Sequence, residues 1–139
     1  MNLMVDSSVW IDSFNPKIKT PEKELLKQLI LNNNLIYICP VIYQEVLQGV
    51  RDDKIFEQIK IIFQQFEMIN MDILYVTNYA VDLFRHLKKN GITIRKPVDC
   101  LIASYSILAD MYLLHNDSDF TQIAKKSKLK IFQGSNIQS

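Results

Sequence analysis

Cysteine is nearly absent: Cys39 and Cys100 are the two thiols among 139 residues, and they form no CxxC pair. That argues against a zinc knuckle, a thioredoxin-type site and a disulfide scaffold, and leaves buried thiols in a reducing cytosol. Glycine (3) and proline (4) are sparse, which leaves no room for collagen-like repeats or a low-complexity linker. Histidine is limited to His86 and His115, neither of them in a metal-ligand spacing. Charge of one sign is missing too: 16 Lys and Arg against 15 Asp and Glu give +1, so any nucleic-acid contact must come from local patches such as Arg95-Lys96 or Lys125-Lys126 with Lys128 and Lys130. No apolar stretch approaches the ~20 residues that span a bilayer, and no basic segment with a small-residue cleavage site marks a signal peptide. The expected location is the cytoplasm, without a membrane partner.

What is present is an ordinary globular composition, 48% hydrophobic and 22% charged, in a chain of one-domain length that can bury about two-thirds of its unfolded surface. The expected domain runs over residues 1–133, with a short tail from Gly134 to Ser139. The stretch Leu3-Met4-Val5-Asp6-Ser7-Ser8 organises the rest. An uninterrupted apolar run that stops at an acid and two hydroxyls reads as a buried parallel strand delivering Asp6 to its carboxyl end, where open α/β sheets keep their sites.

Strand and helix signals then alternate. A short helix from Ser7 to Phe14 ends at Asn15-Pro16. Thr20 caps a helix with Pro21 at its first position and Leu25, Leu26, Leu29 and Ile30 as its buried stripe. Leu35 to Cys39 is a second strand, and Pro40 opens a helix carrying Val41, Ile42, Val46 and Leu47, with Glu45 beside that stripe. A longer helix from Asp52 places Ile55, Phe56, Ile59, Ile62, Phe63 and Phe66 in period, and Met68 to Met71 is a weaker strand. Ile73 to Leu87 is helical up to an Asn90-Gly91 stop, and Ile92 to Lys96 is irregular and basic. Pro97 starts a helix containing Asp99, Met111 to His115 is a strand ending before Asn116-Asp117-Ser118-Asp119, and a helix through Lys126 precedes a short strand at Lys130 to Phe132. Such alternation predicts a parallel sheet of about five strands with helices on both faces.

Asp6 and Asp117 end strands, while Glu45 and Asp99 lie in helices that begin near strand or loop ends. If those ends share one side of the sheet, four carboxylates meet in one cleft, and their mutual repulsion calls for a hard cation with oxygen ligands, Mg²⁺ or Mn²⁺. One or two such ions activate water for in-line displacement at phosphorus. Ser7 and Ser8 are placed to support a bound water or phosphate oxygen, and Asp119 to ligate directly or through water. Each acid also has a purely structural explanation: Asp6 and Asp117 as helix caps, Asp99 as a first-turn acid facing the helix dipole, Glu45 as a solvated helix residue.

Four segments taken together, Val5-Asp6-Ser7-Ser8-Val9-Trp10-Ile11-Asp12, Gln44-Glu45-Val46-Leu47-Gln48-Gly49, Pro97-Val98-Asp99-Cys100-Leu101-Ile102-Ala103 and Leu113-Leu114-His115-Asn116-Asp117-Ser118-Asp119-Phe120, resemble the PIN-domain ribonucleases, most closely the VapC toxins of bacterial toxin–antitoxin pairs. The resemblance runs from the first strand to the last. It implies a three-layer α/β PIN-like fold and a Mg²⁺- or Mn²⁺-dependent endoribonuclease whose acidic quartet is Asp6, Glu45, Asp99 and Asp117, with metal held by Asp6, Asp99, Asp117 and Asp119. It further implies a homodimer, an RNA substrate of the tRNA or rRNA kind, and a VapB-type antitoxin that covers the active site and binds operator DNA with its other end. Arg95, Lys96, Lys125 and Lys126 are the candidate RNA phosphate contacts. Two readings from other classes stay open here: a PIN-like module that binds RNA or a protein without cleaving, and a response-regulator receiver, which lacks support because Asp6 is followed by two serines rather than an acid.

Overall fold

A computed structural model describes residues 2–134; of the expected tail, 135–139 lie outside the described residues. Five parallel strands form one sheet: β1 (Asn2–Val5), β2 (Leu35–Ile38), β3 (Glu67–Met68), β4 (Tyr112–Leu114) and β5 (Lys130–Ile131), in the order β3-β2-β1-β4-β5. In β1 the consecutive residues Leu3, Met4 and Val5 are each fully buried. Because successive side chains of a strand point to opposite faces, both faces of the sheet are covered.

Between the strands lie α1 (Ser7–Ser13), α2 (Pro21–Leu31), α3 (Pro40–Gln48), α4 (Asp53–Phe63), α5 (Ile73–Lys89), α6 (Pro97–Leu108) and α7 (Ser118–Lys125). By the right-handed crossover rule α1–α4 fall on one face and α5–α7 on the other; α1 packs with α2 and α3, α3 with α4, α5 with α6 and α6 with α7, while α3 also meets α6. The three-layer α/β expectation is met. No helix among the described residues is long and apolar enough to cross a membrane.

Local chemistry sets the boundaries. Thr20 accepts the Lys23 N–H and Asp72 the Tyr75 N–H as N-caps, and Gly91 takes φ +81° just beyond α5, where the Ile92 N–H closes on the Leu87 carbonyl at 2.9 Å. Helix α6 is buried almost all round: Asp99, Cys100, Ile102, Ala103, Ser104, Tyr105 and Ser106 are all inside. Its two buried serine hydroxyls are satisfied locally, Ser104 Oγ donating to the Cys100 carbonyl (2.6 Å) and Ser106 Oγ to that of Met111 (3.0 Å).

On the α1–α4 face, Trp10 is the hub. Its ring centroid lies 5.1 Å from Phe63, 5.3 Å from Phe66 and 6.3 Å from Phe14, so the Phe-rich helix serves the core. Some expectations shift at the edges. The third strand is Glu67–Met68, shorter and earlier than residues 68–71: the Ile69 N–H makes the last bond to β2, donating to the Ile38 carbonyl at 2.8 Å, and the Ile69 side chain goes into the core. Ile30, Ile55 and Ile62, counted into buried stripes by periodicity, are 42%, 46% and 36% exposed. Each stripe is wider than the surface that neighbouring helices cover.

Candidate active site

Strand order reverses between β1 and β4, and the carboxyl ends of those two strands carry Asp6 and the His115-Asn116-Asp117 segment. A doubly wound sheet opens a crevice at this switch point. The Asp6 N–H donates to the Leu114 carbonyl at 2.9 Å, extending the ladder by one residue beyond β1.

Asp6 is also the N-cap of α1. Its Oδ2 accepts from the Ser8 N–H (3.1 Å) and the Ser8 hydroxyl (2.6 Å), and the same hydroxyl accepts the Asn116 N–H at 3.3 Å. Ser8 therefore ties the two strand ends together. On the opposite flank, the Ser7 hydroxyl donates to Glu45 Oε1 at 3.1 Å, fixing α3 against α1. Burial raises the Glu45 carboxyl above its ordinary value, Ser7 opposes the rise, and the Asp6 charge adds to it.

Asp99, Asp117 and Asp119 form a tighter group: each offers a carboxylate oxygen within 4.8 Å of the other two. Asp117 caps α7 by accepting the Asp119 N–H at 2.9 Å, and Pro97 starts α6 so that Asp99 falls in its first turn. Asp99 is 3% and Asp119 7% exposed, and Oδ2 of each is buried without a hydrogen bond. Burial, followed by the charges of Asp117, Asp6 and Asp119, lifts the Asp99 carboxyl to about 7 despite the Lys96 ammonium. Burial acts the same way on Asp117 but loses there: the Asp119 N–H, Lys96 and Arg95 hold it below the usual carboxylate range. Three oxygen donors converging with two buried, unbonded oxygens fit a hard divalent cation.

Two cations from the loop before α6 face this group. Lys96 Nζ donates to Asp117 Oδ2 at 3.1 Å and stands 4.0 Å from Asp99 Oδ2; Arg95 Nε is 3.5 Å from Asp119 Oδ2. Lys125 and Lys126, by contrast, lie at the other end of α7, lining a separate surface cavity with Tyr79, His86 and Lys128. The structure brings the five acids to one edge of the sheet and Arg95 and Lys96 with them, but not the other two lysines.

Residues to which sequence reasoning gave no role complete the frame. Asn116 Nδ2 donates to Asp12 Oδ2 at 3.1 Å, and the Asp117 N–H donates to His115 Nδ1 at 3.1 Å. A ring nitrogen that accepts is unprotonated, so His115 is the Nε2–H tautomer, and burial lowers its basicity. Asp12 and Asn116 stood inside the quoted motifs, yet nothing in their spacing linked one to the other.

A parallel sheet whose switch point gathers buried carboxylates defines a class of α/β proteins with an acidic, cation-ready site. The PIN domain family model matches residues 3–126, and the chain belongs to that family. It is 27% identical over 128 residues to VapC ribonuclease Mb1587 of Mycobacterium bovis, covering 92% of this chain and 96% of that protein; Ribonuclease VapC11 of Mycobacterium tuberculosis gives the same figures. Among solved structures, VapBC2 from Rickettsia felis bound to a promoter DNA fragment superposes with a TM-score of 0.74 at 20% identity, covering 95% of this chain and 98% of that one. DNA-bound VapBC from Salmonella typhimurium superposes with a TM-score of 0.70 at 14% identity, covering 95% and 97%. At those identities the likeness to the solved structures is one of fold.

Proposed function

We propose that this chain is a divalent-metal-dependent endoribonuclease of the VapC kind, held in check by a cognate VapB-type antitoxin. The observation that carries the reading is the convergence of Asp99, Asp117 and Asp119 with two buried oxygens that accept no hydrogen bond, in a PIN domain whose curated relatives are named VapC ribonucleases. Asp99, Asp117 and Asp119, with Asp6 beside them, hold the ion, Mg²⁺ or Mn²⁺; when bound, such an ion makes coordinated water more acidic and offsets charge on a phosphate. Glu45, its carboxyl raised by burial and oriented by the Ser7 hydroxyl, accepts or returns a proton at Oε1 or Oε2. Ser8 keeps Asp6 in place, and Arg95 and Lys96 contact RNA phosphates. Lys125 and Lys126 stand too far along α7 to meet the scissile phosphate, so any contact they make is with RNA beyond it.

The antitoxin has a matching surface. A groove of about 750 Å³ between α1, α2 and α4 is lined by Trp10, Phe14, Leu26, Ile30, Leu31 and Ile62, which accounts for the exposed Ile30 and Ile62. Helix α1 gives Trp10 and Ser13 to its lining, and the same helix carries Asp6 as the cap of its other end. The VapBC complexes named above support this partner, and operator DNA is reached through it. A homodimer and a tRNA or rRNA target complete the proposal.

The test is cleavage of total cellular RNA by purified, antitoxin-free protein with Mn²⁺ or Mg²⁺, with EDTA, and with Asp99→Asn alongside. Discrete metal-dependent fragments, reduced by about two orders of magnitude or more in the variant, are expected, since a catalytic ion supplies several kcal/mol. A folded wild-type protein that cleaves nothing sinks the nuclease reading.

A further inference from the structure

Lys96 is placed unlike any other cation of the described chain. Its ammonium donates to Asp117, stands 4.0 Å from Asp99 Oδ2, and acts through its charge on Asp6 and Glu45 as well. One amine thus addresses all four members of the quartet, while Arg95 covers the fifth acid, Asp119, at 3.5 Å. Neither cation is locked in place. The Lys96 side chain is 55% exposed and that of Arg95 72% exposed, against 4% for Asp99 and 10% for Asp119. Lys96 is the N-cap residue of α6 but makes no side-chain cap bond, so the helix does not depend on its side chain.

We propose that Lys96, assisted by Arg95, is a built-in competitor for the divalent ion: a positioning residue that holds the acid cluster together while it is empty of metal and must swing outward before the ion settles. The inference rests on the metal site proposed above, but the electrostatics are those of this chain's own residues. Removing the competitor leaves the oxygens free for a dication while withdrawing the charge that offsets their repulsion. Metal affinity therefore rises and metal-free stability falls. Exposure limits the size of both effects, because a half-exposed pair is screened by water and salt.

The experiment is calorimetric titration of Mn²⁺ into wild type, Lys96→Met and Lys96→Arg, without RNA, together with thermal melts at low ionic strength before and after Mn²⁺ addition. Lys96→Met should bind Mn²⁺ roughly two- to fivefold more tightly, the scale of one partly exposed ion pair, and its melting temperature should fall below wild type without metal and recover with it. Lys96→Arg, which keeps the charge, should stay near wild type in both readouts. Raised salt should shrink the gap between Met variant and wild type. Equal or weaker Mn²⁺ binding by a folded Lys96→Met overturns this proposal alone, whereas absence of Mn²⁺ binding by both proteins overturns the metal site and this proposal with it.

Discussion

The acids at the carboxyl edge of the sheet fall into two halves that solve the same problem differently. Asp6 and Glu45 are held by hydroxyls from α1: Ser8 on Asp6, Ser7 on Glu45. Those donors are anchored to the helix and carry no net charge, so they orient the carboxylates and leave the negative charge in the crevice. Asp99, Asp117 and Asp119 are faced by loop cations, with buried oxygens of Asp99 and Asp119 left unbonded. The first half is fixed and the second is exchangeable, because an exposed side chain can leave and a short hydroxyl in the first turn of a helix cannot. One set of residues thus combines a rigid orientation with a replaceable counter-charge.

The largest expected break in this contrast comes at Asp99. Its carboxyl sits at about 7 in the fold against roughly 3.9 in an unfolded chain, so between those values the folded state binds more protons and stability falls as pH rises through the window. Glu45, shifted in the same direction, adds to the slope, His115, shifted downward by burial, works against it below the ordinary imidazole range, and Asp117, shifted downward, contributes stability that disappears only below the ordinary carboxylate range. Metal-free protein should therefore melt at a higher temperature near pH 5 than near pH 8, and Asp99→Asn, neutral at both, should flatten much of that difference. Melts of the two proteins across pH check it; identical slopes would remove Asp99 from the account.

A smaller effect is expected in the hydroxyl-held half. Ser7→Ala removes the donor on Glu45 Oε1 and should cost about 1 kcal/mol of stability, with the Glu45 carboxyl rising further because the bond that lowers it is gone. Urea denaturation gives the first quantity and the pH profile of cleavage the second. If Ser7→Ala matched Asp99→Asn in either readout, the two halves would not differ as described. The smallest effect is a control in which burial acts without a cation. Burial pushes Cys39 up to about 12 and Cys100 up to about 11, so neither thiol should react with iodoacetamide in the native protein at pH 8, and both should react after unfolding, as mass spectrometry will show.

Much of this was legible in the order of the residues. The run Leu3-Met4-Val5 ending at Asp6 marks a buried strand because only a sheet covered on both faces tolerates three consecutive apolar residues there. Pro21, Pro40 and Pro97 each open a helix because a residue without an N–H fits a first turn that lacks acceptors. Asp6 and Asp117 stood out as acids that end apolar strands, and Glu45 and Asp99 as acids in helices that begin near such ends, with Asp119 two residues after Asp117. The pairing of Ser7 with Glu45, 38 residues apart, and of Asn116 with Asp12, 104 apart, had no local signature, since spacing reports contacts only along one helix or strand.

By itself the sequence determined the elements, their alternation and the identity of the acids, since periodicity and caps are properties of neighbouring residues. Only the tertiary structure decided which cations join them. Arg95-Lys96 and Lys125-Lys126 are equally basic pairs, and the first meets the carboxylates because its loop enters α6 at the crevice, while the second sits a helix length away at the far end of α7. Charge is written residue by residue, but its partners depend on where the crossovers bring the chain back.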